Sequence, residues 1–249
     1  MVTGDLDDPS TTDRLHRAII ARKPFLRRLY TEYYRKFLRS LPEVNGPRTL
    51  VELGSGGGFL KEIEPRAITT DVLSLSGLDL RMSGTAMPFK TEAVHAFFLL
   101  DTFHHIPAAG DFLTEATRCL KPGGRIVMME PANTLWGNFI YRNFHHEPFE
   151  PGDGWEFDSG GPLSSANGAL PWIVFSRDRA RFHQEYPQLK IRCFQAHTPI
   201  RYLLSGGLSM PQLVPSFTFP FWTGLERLLS PCAPWTGMFY WIELEKQVL

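Results

Sequence analysis

The chain has 249 residues, which is enough for one large α/β domain with insertions. Its 26 Lys and Arg balance 26 Asp and Glu, so no net charge attracts nucleic acid, and we expect no nucleic-acid partner. Three cysteines stand far apart and form no C-x-x-C pair, which is typical of a reducing, cytoplasmic compartment. The acidic N-terminal stretch lacks the apolar core of a signal peptide. Residues 202–225 are uncharged, but three prolines interrupt them, so we expect no stable membrane span.

An N-terminal segment, residues 13–41, has a helical periodicity that Pro24 divides into two pieces. The segment contains nine Lys and Arg against two acids, besides a stripe of apolar residues. The stripe consists of Leu26, Leu29, Tyr30, Tyr33, Phe37 and Leu41. We predict that residues 1–46 form a helical extension. Three uses stay open for it: a solvated helix packed against the domain, a lid over a ligand site, or a basic face for an anionic substrate or a membrane surface.

The central feature of the sequence is a glycine-rich turn after a short apolar run. Residues 49–53 are mostly apolar, as in a strand covered on both faces. Four glycines then occupy five positions, residues 54–58, where the lack of Cβ atoms lets the backbone turn sharply and approach a ligand closely. Apolar residues return at helical spacing over residues 59–63, and Pro65 ends that helix. The sequence predicts a strand, a turn and a helix whose first N–H groups face a ligand.

Two classes of ligand use such a turn, and the glycine spacing separates them. The dinucleotide-binding fingerprint needs glycine at the first, third and sixth positions, but the sixth position counted from Gly54 is Phe59. This spacing disfavours a nicotinamide-dependent oxidoreductase. The pattern present is acidic-x-Gly-x-Gly-x-Gly, from Glu52 to Gly58. It resembles motif I of the class I methyltransferases that depend on S-adenosyl-L-methionine (SAM). A glycine-rich loop without a ligand is the plain structural alternative.

Downstream of the turn, predicted strands and helices alternate. Strands are predicted over residues 67–70, 78–81, 93–100, 125–130, 189–195 and 238–245, the last two at the edge of the sheet. Helices are predicted over residues 111–120, ending at a Lys-Pro-Gly-Gly breaker, and 176–185. This order predicts an α/β fold with a mostly parallel seven-stranded sheet and helices on both faces. We predict one domain over residues 47–249, with substrate-side insertions at 132–175 and 199–236.

Three further motifs extend the resemblance. Residues 85–89, Thr-Ala-Met-Pro-Phe, resemble the Leu-Pro-Phe signature that lies beside the adenine in this family. Residues 100–106 resemble its Leu-His-His-Ile run, and residues 121–126 match its Leu-Lys-Pro-Gly-Gly turn before the fifth strand. The match covers residues 49–131. The chain is identified as similar to the Rossmann-like class I methyltransferases, with a core like the type 11 members of the small-molecule branch.

The resemblance implies SAM as the cofactor and assigns roles at the strand ends. Glu52 is the motif I acid that steers the amino end of the methionine, and Asp71, nineteen positions further on, accepts the ribose hydroxyls. Asp79 is the fallback for the ribose. Ser83 stands where the family often has an Asp for the adenine amine, so that contact falls to a hydroxyl or to backbone. The implied cofactor residues are Glu52, Gly54, Ser55, Gly56, Gly58, Asp71, Ser83, Thr85, Ala86, Met87, Asp101 and Thr102.

Histidines follow two predicted strand ends that face one cleft. A general base helps when the acceptor must lose a proton, and histidine suits that role near neutral pH. The candidate bases, in order, are His105, His145, His146 and His104, with Asp101 or Glu147 as orienting partners. Histidines satisfied by backbone in a loop are the plain alternative. No metal is predicted, because adjacent histidines are expected to project in different directions and neither an H-E-x-x-H motif nor an acidic cluster for Mg²⁺ is present in the sequence.

The late insertion indicates the class of acceptor. Residues 199–236 contain six prolines, six aromatic residues and three charged ones, which favours a small or lipid-like acceptor. With a histidine base, O-methylation is the expected reaction. The insertion has three candidate uses: a cap over the active site, a homodimer contact or a peripheral contact with lipid. The alternative function is a protein that binds SAM without methylating, such as a rearrangement or cyclisation enzyme or a binding subunit. Ser83, and Val94-His95 in place of the family's Phe-Asp pair, motivate that alternative.

Overall fold

A single seven-stranded sheet organises the protein, and a computed structural model describes residues 18–43, 46–145, 147–158, 161, 165–197, 200–208 and 210–248. The strands are β1 (Leu50–Leu53), β2 (Ile68–Asp71), β3 (Leu80–Arg81), β4 (Val94–Leu100), β5 (Leu120–Pro131), β6 (Leu189–His197) and β7 (Phe239–Lys246). Their order across the sheet is β3-β2-β1-β4-β5-β7-β6. β7 runs antiparallel to both neighbours, and the other pairs are parallel. The predicted mostly parallel seven-stranded sheet is confirmed.

Helices of very different lengths surround this sheet. The longer ones are α1 (Pro24–Arg39), α2 (Ala109–Cys119), α3 (Leu135–Phe144), α4 (Arg179–Glu185), α5 (Arg201–Ser205) and α6 (Phe219–Leu228). Short turns of helix lie at Phe59–Glu62, Phe103–His105, Leu170–Trp172, Ile173–Arg177, Ser216–Thr218, Ser230–Cys232 and Ala233–Thr236. Among the described residues, no helix combines the length and the apolar character that crossing a bilayer requires.

The central strand β4 is covered on both faces. Successive side chains of a strand point to opposite sides of the sheet. Phe98 stacks on Phe37 of α1, with ring centroids 5.3 Å apart, whereas Phe97 meets Phe89 at 6.4 Å. Phe97 and Phe98 are both fully buried. Because neither face of the strand meets water, β4 is an almost continuous apolar run in the sequence.

Helix α1 is part of this core. Phe25, Leu26, Leu29 and Phe37 are fully buried on its inner side. The predicted break at Pro24 is confirmed, because residues 18–22 are helical and α1 begins again at Pro24. Residues 13–17 of the predicted segment lie outside the described residues. The division between an extension and a domain at residue 46 stays a prediction.

Several element boundaries differ from the sequence predictions. The Lys-Pro-Gly-Gly sequence predicts a break between a helix and a strand starting at residue 125, but β5 begins at Leu120, directly after α2. Gly123, with a φ of 76°, lets the chain bulge inside the strand, and the pairing register shifts between Val94 and Ala96. The predicted helix at 176–185 begins as a π turn, Ile173–Arg177, and continues as α4. At the sheet's end, β6 is the edge strand and β7 lies inside it.

Candidate active site

A cavity of about 740 Å³ opens at the carboxyl ends of β1, β2 and β4. The strand order changes direction between β1 and β4, which is where open α/β sheets bind their ligands. The glycine turn and Asp71 line the cavity, together with Asp101 and Thr102 after β4. His105, His145 and Glu147 line the same cavity. The structure therefore brings members of both groups of predicted site residues into one space.

The glycine turn is fixed by close contact with the end of β4. Gly54 has a φ of +64°, and a Cβ atom built on it would lie 2.4 Å from Thr102 Cγ2 and 2.5 Å from Thr102 Oγ1. Only glycine satisfies both the positive φ and this close approach. Gly56 and Gly58 also have positive φ values, of 49° and 71°. Four consecutive residues, 54–57, line the cavity, so the backbone rather than side chains forms this wall.

Glu52 is a buried residue whose carboxylate accepts no hydrogen bond within the described part of the chain. Its residue is 1% exposed, and neither carboxylate oxygen accepts a hydrogen bond from any described residue. Burial raises the pKa of Glu52 to about 7, although the nearby hydroxyls of Tyr34 and Ser55 act to lower it. Burying an unpaired carboxylate is costly unless something donates to it. Residues 53–55, next to Glu52 in the sequence, line the cavity, whereas Glu52 itself does not.

Asp71 holds the end of β2 against the glycine turn. Its Oδ2 accepts a hydrogen bond from the Gly56 N–H at 3.1 Å, and its Oδ1 accepts one from the Leu73 N–H at 3.0 Å. Each carboxylate oxygen keeps a second lone pair for a ligand in the cavity. The fallback residue Asp79 does not line the cavity, and its Oδ2 accepts from the Thr69 N–H at 2.8 Å.

The residues predicted to lie beside an adenine are placed less favourably. Ser83, Thr85, Ala86 and Met87 are not among the residues that line the cavity, and neither are Glu52 and Gly58. Ser83 is exposed, and its hydroxyl lies 2.8 Å from that of Thr85. The cavity wall here consists of Leu73, Met82, Gly84, Leu100 and Ile106. The roles of Ser83, Thr85, Ala86 and Met87 in binding an adenine stay predictions.

The end of β4 carries a strained acid. Asp101 has a φ of +58°, in the left-handed region that non-glycine residues rarely adopt, and such residues are common at functional sites. Its side chain lies 4.0 Å from His104 Nδ1. Burial raises the pKa of Asp101 to about 7; His104 opposes this shift, and Glu147 and Glu130 add to it.

Glu130, at the end of β5, organises the turn that follows Asp101. Its Oε1 accepts hydrogen bonds from the backbone N–H groups of Thr102, at 2.9 Å, and Phe103, at 2.8 Å. Its Oε2 lies 2.7 Å from His104 Nδ1. Fully buried, Glu130 caps the N-terminus of the Phe103–His105 turn and fixes one face of the His104 ring.

His104 lies between two carboxylates. Its Nε2 is 3.2 Å from Glu147 Oε2, on the side opposite Glu130. Burial alone would lower the pKa of His104, but hydrogen bonds to Glu130 and Glu147 and their charges raise it well above the usual value. The same contact, with the His104 charge, holds the pKa of Glu147 well below its usual range despite burial. His104 is 1% exposed, and each of its ring nitrogens lies within hydrogen-bonding distance of a carboxylate, so in this state it orients other groups.

His105 is the histidine with a nitrogen available toward the cavity. Its Nδ1 lies 3.1 Å from the carbonyl oxygen of Ser165. A carbonyl only accepts hydrogen bonds, so Nδ1 carries the proton and Nε2 keeps its lone pair. Burial and the charge of His104 lower the pKa of His105 to about 4, which leaves the ring neutral near pH 7. Its Nε2 lies 3.6 Å from Glu147 Oε1.

The other two candidate bases differ from His105. His145 lines the cavity, but its Nδ1 accepts a hydrogen bond from the Glu147 N–H at 3.3 Å, so its proton is on Nε2. His146 lies outside the described residues. Sequence reasoning gave no role to Glu130 or to the Ser165 carbonyl. The Glu-Pro pair at the end of β5 was the available signal for Glu130; nothing in the sequence pointed to Ser165.

Helix α1 and the late insertion meet over the cavity. Tyr30 and Tyr34 of α1 line it, and so do Leu203 and Met210 of the insertion. The ammonium group of Lys23 donates to the carbonyl oxygens of Gly207, at 2.6 Å, and Met210, at the C-terminal end of α5. Arg201 of the insertion pairs with Glu32 of α1 at 2.6 Å. The two segments are therefore tied to each other as well as to the sheet.

Comparison with known proteins agrees with this architecture. A family model described as a methyltransferase domain matches residues 63–128. An uncharacterized methyltransferase of Mycobacterium leprae is 29% identical over 105 residues. The family match and the name of this relative support a class I SAM-dependent methyltransferase family for the chain. The match to the mycobacterial relative spans 36% of this chain and 38% of that relative's length.

Solved structures share the fold of the methyltransferase domain over nearly the whole chain. A geranyl diphosphate C-methyltransferase from Streptomyces coelicolor, bound to Mg²⁺, geranyl diphosphate and S-adenosyl-L-homocysteine, matches with a TM-score of 0.53 at 16% identity. That match covers 98% of this chain and 88% of the other. A geranyl diphosphate methyltransferase in complex with SAM gives a TM-score of 0.53 at 18% identity, covering 98% and 94%. At such identities the likeness shows a common fold. SAM is the cofactor of this family.

Proposed function

We propose that this protein is a SAM-dependent methyltransferase that methylates a small, lipid-like acceptor on oxygen. The observation that carries the proposal is the position of His105. Its Nε2 lone pair and the glycine turn border one cavity, so a bound acceptor can meet a proton acceptor and a methyl donor together. The family match supports the methyl donor, and the apolar surfaces around the cavity support the acceptor class.

The residues present fit SAM. Both buried carboxylate oxygens of Glu52 lack a donor among the described residues, which suits the ammonium group of the methionine portion. Asp71 lines the cavity with a free lone pair on each oxygen, which suits the ribose hydroxyls. The backbone of residues 54–57 gives a wall that no Cβ of Gly54 obstructs. Thr102 and Asp101 lie across from this wall at the end of β4.

The chemistry divides between the cofactor and this chain's side chains. When bound, SAM supplies an electrophilic methyl group, whose carbon–sulfur bond breaks with its electrons left on sulfur as the acceptor oxygen takes the carbon. His105 accepts the proton of the acceptor hydroxyl at Nε2, while the Ser165 carbonyl holds the Nδ1 proton in place. Glu147 then stabilises the positive charge that develops on the His105 ring, because its Oε1 lies 3.6 Å from Nε2.

Exposed apolar side chains support a lipid-like acceptor. Most of the exposed large hydrophobic residues lie on two segments, α3 and the late insertion. They are Leu135, Trp136, Phe139, Phe144, Met210, Leu213, Phe217, Phe221, Leu228 and Trp235. Phe144 and Met210 also line the cavity, so the apolar surface continues into it. Apolar patches of this kind mark contacts with lipid, with an apolar ligand or with another protein.

We further propose a peripheral contact between these two segments and a lipid surface, with α1 and the insertion acting as a cover over the cavity. A homodimer through the insertion is the competing use of the same surface. One structural neighbour methylates geranyl diphosphate, an apolar chain with an anionic head; for this chain, the acceptor class rests on its own apolar surfaces.

Incubation with deuterated-methyl SAM tests the proposal. The purified protein is given lipid and polar metabolite fractions, and products are sought by mass spectrometry. We expect the label on a hydroxyl oxygen of an apolar compound, with formation at least tenfold slower in His105→Gln, a general base contributing about 10²-fold or more. Label on carbon or nitrogen contradicts the O-methyl assignment. Tight binding of SAM without transfer to any fraction favours the binding-protein alternative.

A further inference from the structure

We infer that His104, His105 and Glu147 form a binding site for one divalent transition-metal cation. Each of the three offers one ligand atom, and these atoms all lie within 4.8 Å of one another. Two imidazoles and one carboxylate are a common set of three protein ligands in metal sites that keep positions open for a substrate. The inference rests on the proposed function only for what the cation would do there; the binding itself is independent of methyl transfer.

The distances between the ligand atoms match those around a single ion. Glu147 Oε2 lies 3.2 Å from His104 Nε2, and Glu147 Oε1 lies 3.6 Å from His105 Nε2. Ligand atoms held about 2.1 Å from a tetrahedral ion are separated by about 3.4 Å. Both separations between Glu147 and a histidine nitrogen are close to this value, and all three ligand atoms lie within 4.8 Å of one another.

In each histidine, the ring nitrogen that does not face Glu147 already donates to an acceptor. His104 Nδ1 donates to Glu130 at 2.7 Å, and His105 Nδ1 donates to the Ser165 carbonyl at 3.1 Å. Metal-binding histidines almost always make such a bond with the nitrogen that faces away from the metal, because it fixes the tautomer and the ring orientation. Here both histidines have this support, and both direct Nε2 toward Glu147.

The turn geometry explains why the adjacent histidines can share a ligand. Sequence reasoning expected neighbouring side chains to project apart. The two histidines instead end the 3₁₀ turn Phe103–His105, and their ring centroids are 4.3 Å apart with planes inclined by 40°. Glu147 comes from the insertion after β5 and completes the set. The site therefore needs the insertion after β5, because the two adjacent histidines alone lack the carboxylate ligand.

One contact suits a cation. His105 Nε2 and Glu147 Oε1 lie 3.6 Å apart, and a neutral imidazole nitrogen and a carboxylate oxygen are both metal ligands. On binding, the ion takes the place of the proton on His104 Nε2, which leaves to solvent. Imidazole ligands favour Zn²⁺, Co²⁺ or Fe²⁺ over Mg²⁺ and Ca²⁺.

The open side of such an ion faces the cavity. His105 and Glu147 both line it, whereas His104 lies behind them, buried. An acceptor hydroxyl bound to the ion would lose its proton to solvent more readily, because the cation would stabilise the alkoxide. In the loaded protein His105 is then a ligand, and the ion replaces it in promoting loss of the acceptor's proton.

Metal binding to the full chain tests the inference directly. The protein is stripped with a chelator, then titrated with Co²⁺ and Zn²⁺, with metal content measured by mass spectrometry and Co²⁺ followed by its visible absorption. We expect one equivalent, with tetrahedral or five-coordinate Co²⁺ bands, and affinity at least tenfold weaker in His105→Gln and in Glu147→Gln. His183→Gln, an exposed histidine on α4, is the matched control and should bind as the parent does.

Circular dichroism checks that the variants fold, so that a loss of metal binding is not mistaken for the effect of unfolding. Less than a stoichiometric amount of Co²⁺ in the parent, or equal affinity in the parent and both ligand variants, overturns the inference. Because the titration contains neither SAM nor acceptor, a protein that binds no Co²⁺ but still methylates refutes the metal site alone. A protein that binds the metal but transfers no methyl group refutes the proposed function alone.

Discussion

His104 Nδ1 and Glu130 Oε2 lie 2.7 Å apart, and both residues are shielded from solvent by the ends of β4 and β5. The same carboxylate also accepts the Thr102 and Phe103 N–H groups. One acid therefore satisfies a buried cation and the start of a helical turn. Removing the charge of Glu130 leaves the His104 ring with one hydrogen-bonding carboxylate, that of Glu147.

Glu130→Gln should destabilise the fold. Breaking a buried ion pair costs about 3–5 kcal/mol, because it leaves an uncompensated charge in the interior. We expect about 3 kcal/mol in urea unfolding, since the amide oxygen still accepts from the backbone. Glu150→Gln is the matched control: Glu150 is 59% exposed and pairs with Arg142 at 3.5 Å, so its loss should cost less than about 1 kcal/mol. Equal losses in the two variants would contradict this role.

Gly54→Ala should weaken SAM binding. The new Cβ would overlap the Thr102 side chain at 2.4 Å, in addition to the strain of a positive φ. We expect a Kd at least about tenfold higher by calorimetry, equivalent to about 1.4 kcal/mol. Gly58→Ala carries the strain without the overlap, because no atom lies within 4 Å of the position its Cβ would take, and should change the Kd less.

A second variant tests the cause of that effect. Thr102→Ala removes the two nearest atoms and leaves the Thr102 Cβ position at 3.1 Å from the added methyl. Combined with Gly54→Ala, it should recover part of the lost affinity. If the double variant binds no better than Gly54→Ala, the contact with Thr102 does not explain the glycine.

Glu52→Gln should make stability less dependent on pH. The folded-state pKa of Glu52 is raised to about 7 from 4.5, so the folded state favours the protonated form. The associated stabilisation is present below pH 4.5 and is lost as the pH rises to about 7. Relative to the parent, Glu52→Gln should therefore gain up to about 3 kcal/mol between about pH 4.5 and 7.5.

The same variant should bind SAM more weakly, because a neutral amide attracts an ammonium group less than a carboxylate does. Glu156→Gln, an exposed acid, is the control and should follow the parent in both measurements. A pH profile of Glu52→Gln that superimposes on that of the parent would rule out the raised pKa.

Lys23→Met should loosen the cover over the cavity. Lys23 donates to carbonyl groups of the insertion, and removing the ammonium leaves these carbonyls to water. Hydrogen exchange measured on peptides covering residues 200–212 should become faster. Lys90→Met changes an exposed lysine elsewhere and should leave exchange in these peptides as it is. Unchanged exchange in Lys23→Met would mean that the link does not hold the insertion.

Phe217→Ser with Phe221→Ser should reduce binding to lipid vesicles. These side chains are 82% and 66% exposed on the late insertion. Burying each phenyl group in a lipid interface contributes about 1.5–3 kcal/mol, so flotation with vesicles should fall at least tenfold. Val248→Ser, 77% exposed outside the insertion, is the control. If the parent protein dimerises and does not bind vesicles, the surface is a homodimer contact instead.

The glycine turn and the sheet could be predicted because their causes are local. Glu52, Gly54 and Gly58 stand at spacings that a strand and a left-handed turn impose, and the β4 run is apolar because both faces are covered. The Glu130–His104–Glu147 arrangement could not be predicted in this way. It depends on the register of β4 with β5 and on where the insertion after β5 places Glu147, 43 positions from His104.

Binding of SAM by the purified protein tests the central claim most directly. Calorimetric titration with SAM, with its demethylated product and with NAD compares the cofactor classes on one preparation. The account predicts one site for SAM and for the demethylated product, weakened in Gly54→Ala and in Glu52→Gln, and no heat with NAD. Binding of NAD in place of SAM, or binding of SAM by both variants as tightly as by the parent protein, would contradict it.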